Sequence, residues 1–216
     1  MERKAKIVLI IGLMIILPMT QITLSVTGGT SNQEMSFTLA SYSDRPFDKD
    51  RVWNHANHEV LVSKTTGDME DEAVSPWWAD FNYGKMWLGV LVTPSESCHI
   101  KIGFTGSLSV KLTTGFWPAI AKVTVSVVIC DASMNEKDSH IIYEHSIGMM
   151  AEYKDTEYFS YSMKYTMDGA YTLLQGNNYY ACVKFQLTLK NAAECHSYSG
   201  DDASSLEVTR ISWDFY

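Results

Sequence analysis

The sequence predicts an all-β chain: an antiparallel β-sandwich of about nine strands, of jelly-roll or Greek-key type, standing after an N-terminal hydrophobic segment. Three observations carry that expectation. Apolar residues recur with period two along most of the chain, helical periodicity is nearly absent, and clusters of Gly, Asn, Asp and Ser punctuate the alternating runs. In "NYYACVKFQLTLK" Tyr179, Ala181, Val183, Phe185, Leu187 and Leu189 share one face, while Lys184, Gln186, Thr188 and Lys190 share the other. That is the pattern of a half-buried strand. "KVTVSVVIC" repeats it with Val123, Val125, Val127 and Ile129, and "YFSYSMKYTMD" with Phe159, Tyr161, Met163, Tyr165 and Met167. Further strands are expected near residues 35–42, 59–63, 85–93, 140–149 and 206–216. No helical pattern stands between them, which argues for a sandwich and against a βαβ fold.

Two segments allow a finer reading. In "CHIKIGFTGSLSVKL" the apolar phase runs Cys98, Ile100, Ile102, Phe104, Leu108, Val110 and Leu112 without a slip. A two-residue hairpin inside this run would turn one half onto the wrong face, so it is excluded. A three-residue loop over residues 105–107 or one long strand bent at Gly103 and Gly106 remains, and the better turn signal in "TTGFWPA" favours the long strand. Near the end, Leu206 and Val208 are out of phase with Ile211, Trp213 and Phe215, which calls for a bulge near Thr209.

The front of the chain is a basic stretch, "MERKAK", followed by the apolar run "IVLIIGLMIILPM". This is the form of a secretory signal, with small residues placing cleavage after Ser25 or Gly28. Residues 1–28 are thus expected to be a signal peptide or an uncleaved signal anchor, and residues 29–216 a single sandwich domain. Such a protein would be secreted or held on the extracellular face of the cell envelope. A membrane role is expected only if the segment is retained.

A formal net charge of −8 argues against a nucleic-acid partner, because phosphate binding needs clustered Lys and Arg. The four cysteines lie beyond the front segment, and an exported chain with an even count is expected to form disulfides. Cys130 and Cys182 fall in the outward phase of strands expected to be neighbours, which pairs them and leaves Cys98 with Cys195; a local Cys182–Cys195 link is the competing connectivity.

Catalytic motifs are missing: there is no G-x-S-x-G elbow and no Gly-rich phosphate loop. "HEVLV" begins like a zinc-protease motif but has Val62 where the second ligand belongs. His55 and His58 read as solvated loop residues. The chain is expected not to be an enzyme and to hold no resident cofactor. The acidic run "GDMEDEA" offers Asp68, Glu70, Asp71 and Glu72 as hard oxygen ligands for Ca²⁺, although it lacks the spacing and turn glycine of an EF-hand loop. A solvated charge run is the simpler reading.

Directly after it, "SPWWADFNYGKMW" crowds aromatic residues among Pro, Asn and Gly. Trp77, Trp78 and Tyr83, joined by Trp53 and Trp117 from other loops, are the candidate binding residues, since Trp and Tyr combine an apolar face with a polar atom. One ring of the Trp77, Trp78 pair is expected to be buried, because neighbours in an extended segment point opposite ways. The expected function is a surface structural or interaction module with a protein or glycan partner; the alternative is a carbohydrate-binding module built on the aromatic loop.

Overall fold

The structure is a computed structural model and describes residues 32–34, 37–45, 57–75, 82–115, 119–191, 193–195 and 204–216. The front segment and its cleavage site lie outside these residues. In chain order the strands are β1 (Asn32–Glu34), β2 (Leu39–Arg45), β3 (Asn57–Val62), β4 (Asp68–Ser75), β5 (Asn82–Val92), β6 (Ile100–Thr114), β7 (Ile120–Asp131), β8 (Glu136–Gly148), β9 (Glu152–Phe159), β10 (Tyr165–Thr166), β11 (Tyr179–Lys190), β12 (Ala193–Cys195) and β13 (Ser205–Phe215). The described residues contain no helix.

The strands form two antiparallel sheets. One has eight strands, in which β13 and β12 bridge β4 to β6, β3 extends the β4 side and β9 and β10 share the free edge of β6. The other has five, in the order β2-β5-β11-β7-β8. Strands remote in sequence therefore lie side by side, β4 with β13 and β5 with β11, the crossover wiring of Greek-key sandwiches.

Alternation explains how the sheets stack. From the larger sheet Ile100, Ile102, Phe104, Leu108, Val110, Leu112, Leu206, Val208 and Ile211 face inward; from the smaller, Met86, Leu88, Val123, Val125, Val127, Phe185 and Leu187 meet them. All are essentially inaccessible to solvent, and each such side chain contributes about 1.5–3 kcal/mol relative to exposure.

The long strand is a single element: β6 runs fifteen residues without a loop at Gly103 or Gly106. Both glycines answer to close backbone approach. A Cβ on Gly106 would strike the carbonyl oxygen of Glu207, and one on Gly103 that of Met163. The bulge lies where the phase change placed it: pairing of β13 with β6 shifts between Val208 and Arg210, leaving Thr209 without a partner.

Three expectations are corrected. "YFSYSMKYTMD" is not one strand. Phe159 pairs with Gly106 and Tyr165 with Ile102, so two more residues lie on this side than on β6 over the same interval. Residues 160–164 leave the ladder, and Tyr161 and Met163 are 42% and 59% exposed instead of inward.

The acidic run, second, stands outside the expected strands but is strand β4, so alternation divides its carboxylates between two faces. Third, no disulfide joins Cys98, Cys130 or Cys182, which are free thiols. β7 and β11 are indeed antiparallel neighbours, but Cys182 stands opposite Val128 and Cys130 opposite Tyr180. Diagonal neighbours typically stand about 7–8 Å apart, their Cβ atoms somewhat closer, which is still beyond the ~3.5–4.5 Å Cβ separation of a disulfide. Cys98 bridges to Leu173 just before β6 begins, while Cys195 pairs with Leu112 near its other end, roughly 40 Å along the strand.

Candidate functional site

The outward residues of the eight-stranded sheet form a shallow tray. Directly paired residues share a face, so the register lays them out in rows. Asp68 of β4 stands beside Glu207 of β13, Ser107 of β6 and Tyr158 of β9; one row on come Glu70, Ser205, Ser109 and Thr156. Four strands at about 4.8 Å spacing make the tray about 14 Å wide. Its floor is serine: Ser107, Ser109 and Ser205 alternate with Leu108, Val110 and Leu206, which are buried in the core beneath.

Each side of the tray has its own chemistry. One flank carries Tyr158, which is 80% exposed. The opposite flank carries Asp68, Glu70 and Glu207. Asp68 and Glu207 are direct cross-strand partners, an arrangement of like charges that works against stability. Beyond Ser109, Lys111 and Lys154 are paired across the strands, and the buried Ser204 fastens Lys111 by accepting its N–H at 2.8 Å and donating to its carbonyl at 3.0 Å.

The remaining end is walled by residues 160–164. The Tyr161 N–H donates to Thr105 Oγ1 at 3.1 Å, Ser212 Oγ donates to the Tyr161 carbonyl at 3.2 Å, and Lys164 Nζ pairs with Asp214 at 2.8 Å. Arg210 lies over the Tyr161 ring at 5.1 Å, within cation–π range. The departure from the ladder thus builds a wall over Gly103, where only a glycine leaves room for it.

The strand bearing Tyr158 is anchored from its inner side. Tyr153 of β9 donates from its hydroxyl to Asp155 Oδ2 at 2.6 Å and accepts from the Tyr143 hydroxyl of β8 at 2.9 Å. His145 stacks on the Tyr153 ring with centroids 3.5 Å apart. The Tyr153 hydroxyl, then the Thr156 N–H, hold the Asp155 carboxyl below its ordinary range, with His145 adding to the effect. Burial, reinforced by the bond to Asp155, pushes the Tyr153 phenol far up. Tyr153 therefore remains a neutral donor, and this polar seam ties the free edges of the two sheets together.

The structure gathers the sequence candidates only in part. Asp68 and Glu70 join the tray. Asp71 is fully buried on the other side of β4, and Glu72 occupies the register position opposite Glu59. Among the described residues no three His, Cys, Asp or Glu side chains converge as a metal cluster, because a strand cannot aim consecutive carboxylates at one ion. Tyr83 lies on the outer face of the other sheet, with Lys85 Nζ 4.4 Å above its ring. Trp53, Trp77, Trp78, Trp117 and His55 lie outside the described residues. Sequence reasoning missed Tyr158, Tyr161, Arg210, Glu207 and the serines. One signal was available: Ser107 and Ser109 are small outward residues in the middle of a long strand, the composition of a floor.

No protein-family model matches the chain. No curated protein matches it either. Among solved structures the chain is similar to TmCBM61 in complex with beta-1,4-galactotriose, at 9% identity, over 84% of this chain and 92% of that one, with a TM-score of 0.23. At that similarity no residue and no ligand is transferred from it.

Proposed function

We propose that the chain is a non-catalytic binding module that holds a saccharide chain on the outer face of its eight-stranded sheet. The observation that carries this reading is Tyr158, four-fifths exposed on the rim of a serine floor and facing a row of carboxylates. A tyrosine ring offers sugar C–H groups an apolar face, and carboxylates, serines and Arg210 supply hydrogen-bond partners for hydroxyls. The tray is open and wider than one ring, which suits an elongated ligand. The basic and apolar front, residues 1–28, would deliver the domain to the cell exterior, where polysaccharides are met.

The test is a glycan array and depletion by insoluble polysaccharide, run on the wild-type domain and on Ser107→Arg, which fills the floor with a long side chain. Binding by the wild type that Ser107→Arg abolishes supports the reading. Binding that survives the substitution removes the tray from the account.

A protein partner is the second reading. Met149 and Met150, at the turn between β8 and β9, are 54% and 67% exposed, and exposed methionines are adaptable contact surface. Loss of partner capture in a Met149→Lys, Met150→Lys double variant, with glycan binding absent from the wild type, would favour it.

A further inference from the structure

The outer face of the five-stranded sheet carries a second, smaller apolar cluster. Val128, Cys130 and Cys182 are completely buried there, enclosed by Leu39, Trp87, Met134 and Tyr180. Two features of the backbone serve the sulfur atoms. A Cβ placed on Gly89 would stand 2.5 Å from Cys182 Sγ, so the thiol occupies space that only a glycine at this position leaves open. Met134 lies in the β7–β8 turn with φ of 66°, a left-handed conformation that is unfavourable for a long side chain. The turn is held there by Asp131 Oδ1, which accepts from the N–H groups of Ser133 and Asn135 at 2.9 and 3.0 Å. The strained residue is one whose side chain packs against the cluster that holds both thiols, and strain retained at one position points to a role for its side chain.

Glu136, at the start of β8, accepts from Trp87 Nε1 at 3.1 Å and from Lys184 Nζ at 2.8 Å, which fixes Trp87, one of the side chains that enclose the cluster. The cluster offers two thiols and a thioether. Thiolate and thioether sulfur select soft ions, copper(I) among them, whereas structural zinc sites are completed by four ligands and calcium by six or more oxygens.

We infer that Cys130, Cys182 and Met134 form a binding site for a soft monovalent metal ion, copper(I). Each cysteine that ligates gives up its S–H proton to solvent as the S–Cu bond forms, and no electron changes hands. A thiol ligates as the thiolate, so the metal displaces bound protons and affinity rises with pH by about tenfold per unit for each proton released.

The experiment titrates the full chain with copper(I) against the chromophoric chelator bicinchoninate, without oxygen and with a phosphine reductant. The expected result is one equivalent bound, an affinity that rises with pH, a loss of about a hundredfold or more in Cys130→Ala and in Cys182→Ala, a smaller loss in Met134→Leu, and none in Cys98→Ala. Because the two buried variants could lose their fold, copper-edge X-ray absorption is measured on the wild type, where a shell of sulfur alone is expected. A shell containing nitrogen or oxygen, pH-independent binding, binding lost in Cys98→Ala or Cys195→Ala, or no binding at all would overturn the assignment.

Discussion

Gly103 of β6 lies directly beneath the carbonyl oxygen of Met163, so close that a single methyl group on Gly103 would collide with it. The collision is with backbone, which cannot swing aside as a side-chain tip can. Gly103→Ala is expected to cost about 1–3 kcal/mol, as overpacking does. The melting temperature should fall by several degrees, and limited proteolysis should cut residues 160–164 sooner. An alanine variant with wild-type melting and proteolysis would show that this wall is not fixed by the glycine.

Phe104, fully buried, packs against Phe159 with ring centroids 4.7 Å apart. It ties the core to the end of β9, immediately after Tyr158. Phe104→Ala should destabilise the domain by about 3–5 kcal/mol in chemical denaturation, the range for aromatic truncation in a core. A loss below about 1 kcal/mol would mean that this contact does not tie the end of β9 to the core.

Gly89 and Cys182 are expected to be energetically coupled. Gly89→Ala alone should be destabilising, since its methyl group enters the space of the thiol. Combined with Cys182→Ala, which vacates that space, part of the loss should be recovered. A double-mutant cycle reads the coupling directly, and strictly additive effects would contradict the packing described.

Asp155 gives the seam a pH dependence of definite sign. Its carboxyl is held below its ordinary value of 3.8, first by the Tyr153 hydroxyl. A carboxyl depressed in the folded state contributes stability above its unfolded pKa and loses that contribution as pH falls through the folded value. Tyr153→Phe removes the main cause, so the Asp155 titration, followed by carboxyl-carbon NMR, should move up toward the unfolded value. An unmoved titration would mean that another group holds the carboxylate.

Much of the fold was legible because alternation is a local signal. The continuity of β6 and the bulge at Thr209 follow from the phase of apolar residues; the adjacency of β7 and β11, assumed for the cysteine pairing, is found in the sheet but is not dictated by phase. The site was less legible, for reasons that can be named. The phase of Phe159, Tyr161, Met163 and Tyr165 is unbroken in the sequence, and the wall is held out of the ladder by a turn bond from Met163 N–H to the Ser160 carbonyl together with bonds to Thr105, Ser212 and Asp214, residues remote in the chain. The acidic run carries weak strand propensity, yet pairing with β3 and β13 on either side makes it β4. Tyr158 becomes notable only when the register sets it beside Ser107, with Glu207 and Asp68 beyond. The cysteine pair failed by two residues of register, which sequence phase alone cannot fix.

The most direct test of the binding face is the comparison of Tyr158→Ala with Tyr83→Ala, two exposed-face tyrosines on opposite sheets, by isothermal titration with the best saccharide from the array. Tyr158→Ala should leave stability within about 0.5 kcal/mol of wild type while weakening binding by about thirtyfold or more, as loss of an aromatic anchor does. Tyr83→Ala should bind as the wild type does. Undiminished binding in Tyr158→Ala, or an equal loss in both variants, would contradict the assignment of the saccharide to this sheet.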